Sequence, residues 1–326
     1  MKKLATIAAS VVLTLMLASC GKSPEQNFAA EYTGDSVKLK EKAEQGDAEA
    51  QYNLGECFAR GTIIEADISE AIKWHRKAAE QGHAEAQIEM GHHYQSGHGL
   101  PQDLPEAAKW WRKAAEQGNV DAQRILASYY EYESGIEANF SEALKWHRKA
   151  AEQGEGDAQY NVGRFYANGL GVEQDYAEAM KWWREAAEQE HAEAQRSLGE
   201  CYEKGLGVNQ DYSEAVKWYL KSSNHIGWQM WDRNSTPFMD TDMLHALGIF
   251  YANGLGVGQD CVEAFKFWRA AAENDHAAAQ RCLGDCYAKG EGVAADMIEA
   301  VKWYRKAAEQ GDESAQRALL KIGAAN

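Results

Sequence analysis

The sequence predicts an all-α solenoid of about seven helix-pair repeats of 36 residues. Three observations predict it. Ala50-Gln51 returns as Ala86-Gln87, Ala122-Gln123, Ala158-Gln159 and Ala194-Gln195, each 36 residues after the last, and again as Ala279-Gln280 and Ala315-Gln316. Each copy carries two stretches whose apolar residues recur at helical spacing. Between them stands a glycine-rich break, such as Asn168-Gly169-Leu170-Gly171, where glycine supplies the backbone freedom of a turn. Self-similarity at this period marks stacked supersecondary units that share one continuous core, so the 326 residues need not divide into ordinary globular domains.

The first residues stand apart from the array. Lys2 and Lys3 precede a mostly apolar run, Leu4 to Leu17, which ends in Leu17-Ala18-Ser19-Cys20 and Gly21. Its 14 residues fall short of the roughly 20 that span a bilayer. Residues 1–19 therefore read as a secretory signal. The ending resembles the lipobox of bacterial lipoproteins, which implies that Cys20 is lipidated and becomes the mature N-terminus. Gly21, where an Asp would favour the inner membrane, implies an outer-membrane lipoprotein of the cell envelope, facing the periplasm or the cell surface. Residues 20–35 lack apolar periodicity and form a tether; residues 36–326 form the array. Loss of Lys2 and Lys3 takes the net charge from −16 to −18, which repels nucleic acid. The expected contact with membrane is through the lipid alone.

The fourth copy shows why each unit is a helix pair. Ala158, Val162, Gly163 and Tyr166 form one helical stripe, and Ala179, Trp182, Ala186 and Ala187 form a second beyond the turn. The second helix opens on a capping signal in every copy: Asp67/Glu70, Asp103/Glu106, Asn139/Glu142, Asp175/Glu178, Asp211/Glu214, Asp260/Glu263 and Asp296/Glu299. Trp74, Trp110, Trp146, Trp182, Trp218 and Trp303 repeat at one position, with Phe267 once, as knobs in the core. Gly55, Gly91, Gly163, Gly199, Gly248 and Gly284 recur inside the first helix, with Ala127 in the third copy, and signal a closely approaching neighbour.

These residues resemble the Sel1-like repeat, a relative of the tetratricopeptide repeat. Ala158-Gln159-Tyr160-Asn161-Val162-Gly163, Gly169-Leu170-Gly171-Val172, Asp175, Glu178-Ala179, Lys181-Trp182 and Ala186-Ala187-Glu188-Gln189 carry the likeness, over residues 38–320 or so. It implies antiparallel pairs in a right-handed α-solenoid that binds protein or peptide partners on its concave face. The first copy departs at Ile63 and the third at Glu133, where loop glycines are expected. Lys38–Gly46 and Ala315–Gly323 read as half-units closing the ends.

Candidate functional residues are those the period leaves unexplained. First-helix positions that vary between copies supply Tyr52, Arg124, Tyr160, Arg196 and Arg281 in one column, Arg164 in a second and Tyr132 in a third; aromatics and arginine suit protein recognition. Met243 lies 49 residues after Ala194 rather than 36, so 13 residues are inserted within 222–242. The insertion carries Trp228, Met230, Trp231 and Phe238. It either covers the gap between copies five and six or serves as a recognition loop.

Cys57, Cys201 and Cys286 share a position with His93, Tyr129, Phe165 and Phe250, which reads as semi-buried packing. Cys261, Cys282 and Cys286 are near enough in sequence for a disulfide in an oxidising compartment. His83, His191 and His276 occupy one scaffold position, and adjacent His92 and His93 point about 100° apart on a helix, so neither a metal nor a cofactor is expected. Catalysis is not expected either. Ser-x-x-Lys occurs only as Ser19-Cys20-Gly21-Lys22, within the cleavage site, and Gly-x-Gly follows no strand. The alternative is an envelope enzyme or accessory factor acting on peptidoglycan or β-lactams, as cysteine-rich members of the wider family suggest. Their paired cysteines recur in each unit, unlike those here.

Overall fold

The computed structural model describes residues 36–62, 66–132, 138–225 and 240–323. Cys20, Ile63, Glu133 and the insertion residues Trp228, Met230, Trp231 and Phe238 lie outside them. Among the described residues there are sixteen helices and no strand. The chain divides into two compact units, Met1–Ala138 and Asn139–Asn326.

The first unit holds α1 (Ser36–Glu44), α2 (Ala48–Arg60), α3 (Ile68–Glu80), α4 (Ala84–Ser96), α5 (Leu104–Glu116) and α6 (Val120–Tyr132). The second holds α7 (Phe140–Ala151), α8 (Gly156–Asn168), α9 (Tyr176–Glu188), α10 (Ala192–Lys204), α11 (Tyr212–His225), α12 (Thr241–Asn253), α13 (Cys261–Glu273), α14 (Ala277–Lys289), α15 (Met297–Glu309) and α16 (Glu313–Ile322). Even-numbered helices open the copies and odd-numbered ones close them. Within each unit every helix packs on its chain neighbours, and α11 on α12 is the loosest of these contacts, at the site of the insertion. The half-units expected at both ends are α1 and α16.

The repeated glutamine holds neighbouring copies together. Gln51, Gln87, Gln195 and Gln280 are buried and donate through Nε2 to Ala43, Ala79, Ala187 and Ala272 O at 2.9–3.1 Å. Those carbonyls lie in the last turn of the preceding helix, where intrahelical partners run out. The Oε1 of Gln51, Gln87, Gln159 and Gln280 accepts from Gln81, Gln117, Gln189 and Gln310, thirty residues on, at 2.7–2.8 Å. One buried amide thus ties its own helix to the odd helices on either side. The small residue beside it is fixed by space, since Ala50, Ala86, Ala158, Ala194 and Ala279 are all buried.

The intrahelical glycine answers to the residue after the repeated tryptophan. A Cβ on Gly91 would overlap the indole of Trp111, one on Gly163 that of Trp183, and one on Gly248 that of Trp268; Gly199 and Gly284 face Tyr219 and Tyr304 in the same way. In the loop, Gly171 adopts φ +67° and would meet the backbone of Phe140 and Ser141 if it carried a Cβ. The turn of one copy therefore rests on the second-helix start of the copy before.

All seven predicted N-caps are formed; Asp103 Oδ1, for example, accepts from Glu106 N at 2.9 Å. The reciprocal half of the box is replaced. The Asp103 amide donates instead to Tyr94 O of the preceding helix at 2.9 Å, as Asp175 does to Tyr166 O. The freed glutamates pair outward with lysine, as Glu106 does with Lys109 at 2.7 Å. The tryptophan column is core as expected: Trp74, Trp110, Trp146 and Trp218 are buried, and Trp182 and Trp303 half-buried.

Candidate interaction surface

The variable positions on the even helices range from buried to exposed. In the first turns Tyr52, Tyr160, Arg196 and Arg281 are half-buried and Arg124 is exposed. One turn on, Arg164 is half-buried. In the last turn Tyr132 is 67% exposed, among the most exposed large apolar side chains in the described residues.

Several of these candidates serve the scaffold. Tyr52 stacks on His83 and Tyr160 on His191, with ring centroids 4.8 Å apart in both cases. Those histidines, with His276, are themselves N-caps. His83 Nδ1 accepts from Ala86 N at 3.3 Å while its Nε2 lies 2.9 Å from Glu49 in the copy before. His276 does the same between Ala279 N and Asp242. Arg281 pairs with Asp285 at 3.3 Å and with Asp312 at 3.4 Å. The guanidinium of Arg164 lies 5.2 Å from the Phe165 ring, and its Nε donates to Asn161.

The remaining candidates line two cavities. In the first unit a cavity of about 330 Å³ is bounded by His92 and Gln95 of α4, Trp111 of α5, and Arg124, Ile125, Ser128, Tyr129 and Tyr132 of α6. It draws on all three variable columns. In the second unit a cavity of about 310 Å³ lies among Arg196, Glu200, Glu203 and Lys204 of α10, Tyr219 of α11, and Met243, His245, Ala246 and Ile249 of α12, with Asp240 and Asp242 at that helix's start. Arg196 is held by Asp240 at 3.1 Å, and the Tyr219 hydroxyl donates to Glu203 at 2.7 Å. Burial, with His276 alongside, pushes His245 down to about 4. Among the described residues neither cavity brings Ser, Lys and a carboxylate together.

A polar chain, buried except at Arg60, runs through α2, α3 and α4. Arg60 lies 2.7 Å from Glu56, Glu56 lies 3.4 Å from His75 Nε2, and His75 Nδ1 lies 3.3 Å from His93 Nε2. Burial and the neighbouring His75 push His93 down to about 4. Burial works to raise Glu56, but His75 and Arg60 outweigh it and hold the carboxyl below its ordinary range. Burial, then the charge of Glu56, raises Glu89.

The position shared by cysteines and aromatics is more deeply buried than the sequence suggested: Cys57, Tyr129, Phe165, Cys201, Phe250 and Cys286 are at most 5% exposed. Cys261, Cys282 and Cys286, the cysteines considered for a bridge, are free thiols in the structure. Cys282 and Cys286 stand one turn apart on α14, where side chains begin about 5–6 Å apart, beyond the ~4 Å that a disulfide requires between Cβ atoms. Burial pushes the Cys286 thiol up to about 12 and Cys282 to about 11, which keeps both protonated. Among the described residues no group of three or more His, Cys, Asp or Glu converges as metal ligands, and no helix is long and apolar enough to cross a membrane.

Sequence reasoning missed the column of His75, Trp111, His147, Trp183, Tyr219, Trp268 and Tyr304, whose members other than His147 select the intrahelical glycine and whose Trp111 walls the first cavity. Its adjacency to the repeated tryptophan was the available signal.

A periodic scaffold whose unconstrained side chains gather on one helix of each pair is a helix-pair repeat protein built to present a surface. The chain belongs to the Sel1 repeat family, whose model matches residues 48–83, 84–119, 120–155, 156–191, 192–225, 241–276 and 277–312. Repeats of this kind are protein-interaction scaffolds. The chain is similar to a protective antigen of uropathogenic Escherichia coli strains with an SLR fold, at 35% identity and a TM-score of 0.72 over 87% of this chain and 58% of that one. It thus spans little more than half of that antigen's length. It is also similar to a Sel1 repeat protein from Oxalobacter formigenes, at 33% identity and a TM-score of 0.60, over 87% of this chain and 79% of that one. Comparison with functionally curated proteins returns no match.

Proposed function

We propose that this chain is a cell-envelope adaptor or receptor, held to the outer membrane by a lipid on Cys20, that binds protein or peptide partners through the first helices of its repeats. The observation that carries the reading is the sorting of residues by position. Side chains that recur from copy to copy go into the glutamine links, caps and core, while Arg124, Tyr132 and Arg196 vary and line cavities. Recognition by a preformed surface needs little ordering on binding, which favours affinity. Catalysis has no support in the side chains gathered in either cavity.

The reading is tested by recovering partners from native envelopes on the full chain. A specific protein retained by the native chain, and lost on substitution of Arg124, Tyr132 or Arg196, is the expected result; recovery of none overturns the adaptor. A Cys20→Ser chain that still partitions with membranes overturns the anchor.

A further inference from the structure

We propose that the cavity between α4, α5 and α6 receives one aromatic or large aliphatic side chain of a peptide partner, flanked in that partner by Asp or Glu. This rests on the protein-binding reading and specifies the chemistry bound. The walls are fixed before any ligand arrives. Trp111 is fully buried and Tyr129 nearly so, and they meet edge to face at 5.8 Å. His92 also meets Trp111 edge to face, at 5.8 Å. Packing holds these rings in place, so little side-chain freedom remains to be lost on binding. A volume of about 330 Å³ is at the small end of ligand cavities, which suits a single side chain. Tyr132 stands at the rim, where its exposure offers apolar surface to a guest. Tyrosine and arginine are the residue types that carry most binding energy at protein interfaces.

Charge selects the flanking residue. Among the described residues the lining contains Arg124 and His92 and no carboxylate, in a chain of net charge −16. Arg124 and Tyr132 lie eight residues apart on α6 and therefore on one face. Arg124 pairs with Asp121 at 3.4 Å, with both side chains largely exposed. Such a pair is worth about 0–1 kcal/mol. A carboxylate delivered beside an anchored apolar group meets the guanidinium in a partly desolvated place, where a two-pronged pair is stronger. The cavity in the second unit has the opposite balance, with Glu200, Glu203, Asp240 and Asp242 around Arg196 and Lys204. An anionic segment is thus suited to the first cavity and not to the second.

The test is selection from a phage-displayed library of random octapeptides on the immobilised full chain. The expected result is enrichment of an aromatic residue or leucine next to Asp or Glu. A synthetic peptide of that consensus should bind at least tenfold more weakly to Arg124→Glu and to Tyr132→Ala. Both positions are exposed, so the variants should keep the native helical spectrum and melting temperature. Replacing the peptide's acid by Lys should abolish binding to the native chain and restore it to Arg124→Glu, a reversal that misfolding cannot produce. Enriched peptides that bind both variants as tightly as the native chain overturn the assignment and leave the protein-binding reading standing. No enrichment at all counts against both.

Discussion

Two consecutive joints of the first unit show what the repeat permits. At α3–α4 the residue after the repeated tryptophan is His75, and it meets His93; at α5–α6 it is Trp111, and it meets Tyr129. Both occupy the same two repeat positions, and both are buried. The first joint is a polar relay ending in Glu56 and Arg60. The second is an aromatic wall beside a cavity. The lesson is that the glutamine links and caps fix helix placement well enough for the joint itself to change chemistry. Stability and function are carried at different positions of one unit.

That comparison can be broken most severely at the aromatic joint. Gly91→Val should place a branched side chain inside the Trp111 indole. Alanine in place of a helical glycine ordinarily gains about 0.5–1 kcal/mol, but overpacking costs about 1–3 kcal/mol and more for a branched group, so strain wins. A loss of ~3 kcal/mol or failure to fold is expected in urea unfolding.

The polar joint should respond to acid. The unfolded chain protonates His93 near 6.5, whereas the folded chain resists until about 4. Stability is therefore full above pH 6.5 and falls as pH drops toward 4. Glu56, held low by His75 and Arg60, loses stability in the same direction at the acid end. Glu89, His92 and His98 also face the joint, and Glu89 opposes the trend, since its raised value favours the folded state on protonation. At about 1.4 kcal/mol per unit, His93→Phe should remove roughly 2–3 kcal/mol of acid sensitivity between pH 7 and 4. Equal slopes of melting temperature against pH in variant and native chain would count against this account.

Smaller changes test what the joints share. Gln87→Leu should cost ~2 kcal/mol, because it removes two hydrogen bonds, to Ala79 O and from Gln117, each worth about 1 kcal/mol. Asp103→Ala should cost ~1 kcal/mol, the usual worth of an N-cap. Thermal unfolding measures both, and the two losses should be the same in a His93→Phe background if the shared frame is independent of the joint.

The fold was legible in the sequence because identity recurs wherever geometry recurs: Gln87, Trp110, Asp103 and Gly91 each have counterparts at a fixed spacing. The glycine foretold a close neighbour without naming it. Trp111, His75 and Tyr219 share that role through bulk and ring shape rather than identity, so no repeated letter marks them. The capping box was half right, since a pattern of Asp and Glu does not reveal that the Asp103 amide has a carbonyl of α4 within reach. Arg124 and Tyr132 were legible as variable positions. Their cavity was not, because it exists only where α4, α5 and α6 meet. Tyr52, Tyr160 and Arg281 stood out for the same reason and proved to be braces between copies.

The glutamine link makes each repeat a cassette that closes its own hydrogen bonds. The amides of Gln51, Gln87, Gln159 and Gln280 reach eight residues back and thirty forward, so whole units can be added or removed without stranding a polar atom. A change of fractional length breaks that neutrality. Gln195 shows the result: thirty residues on stands His225 instead of glutamine, at the threshold of the 13-residue insertion, and the buried Gln195 Oε1 has no hydrogen-bond partner among the described residues. The chain tolerates one such dislocation, as a crystal tolerates a stacking fault, and regains register at Ala279-Gln280.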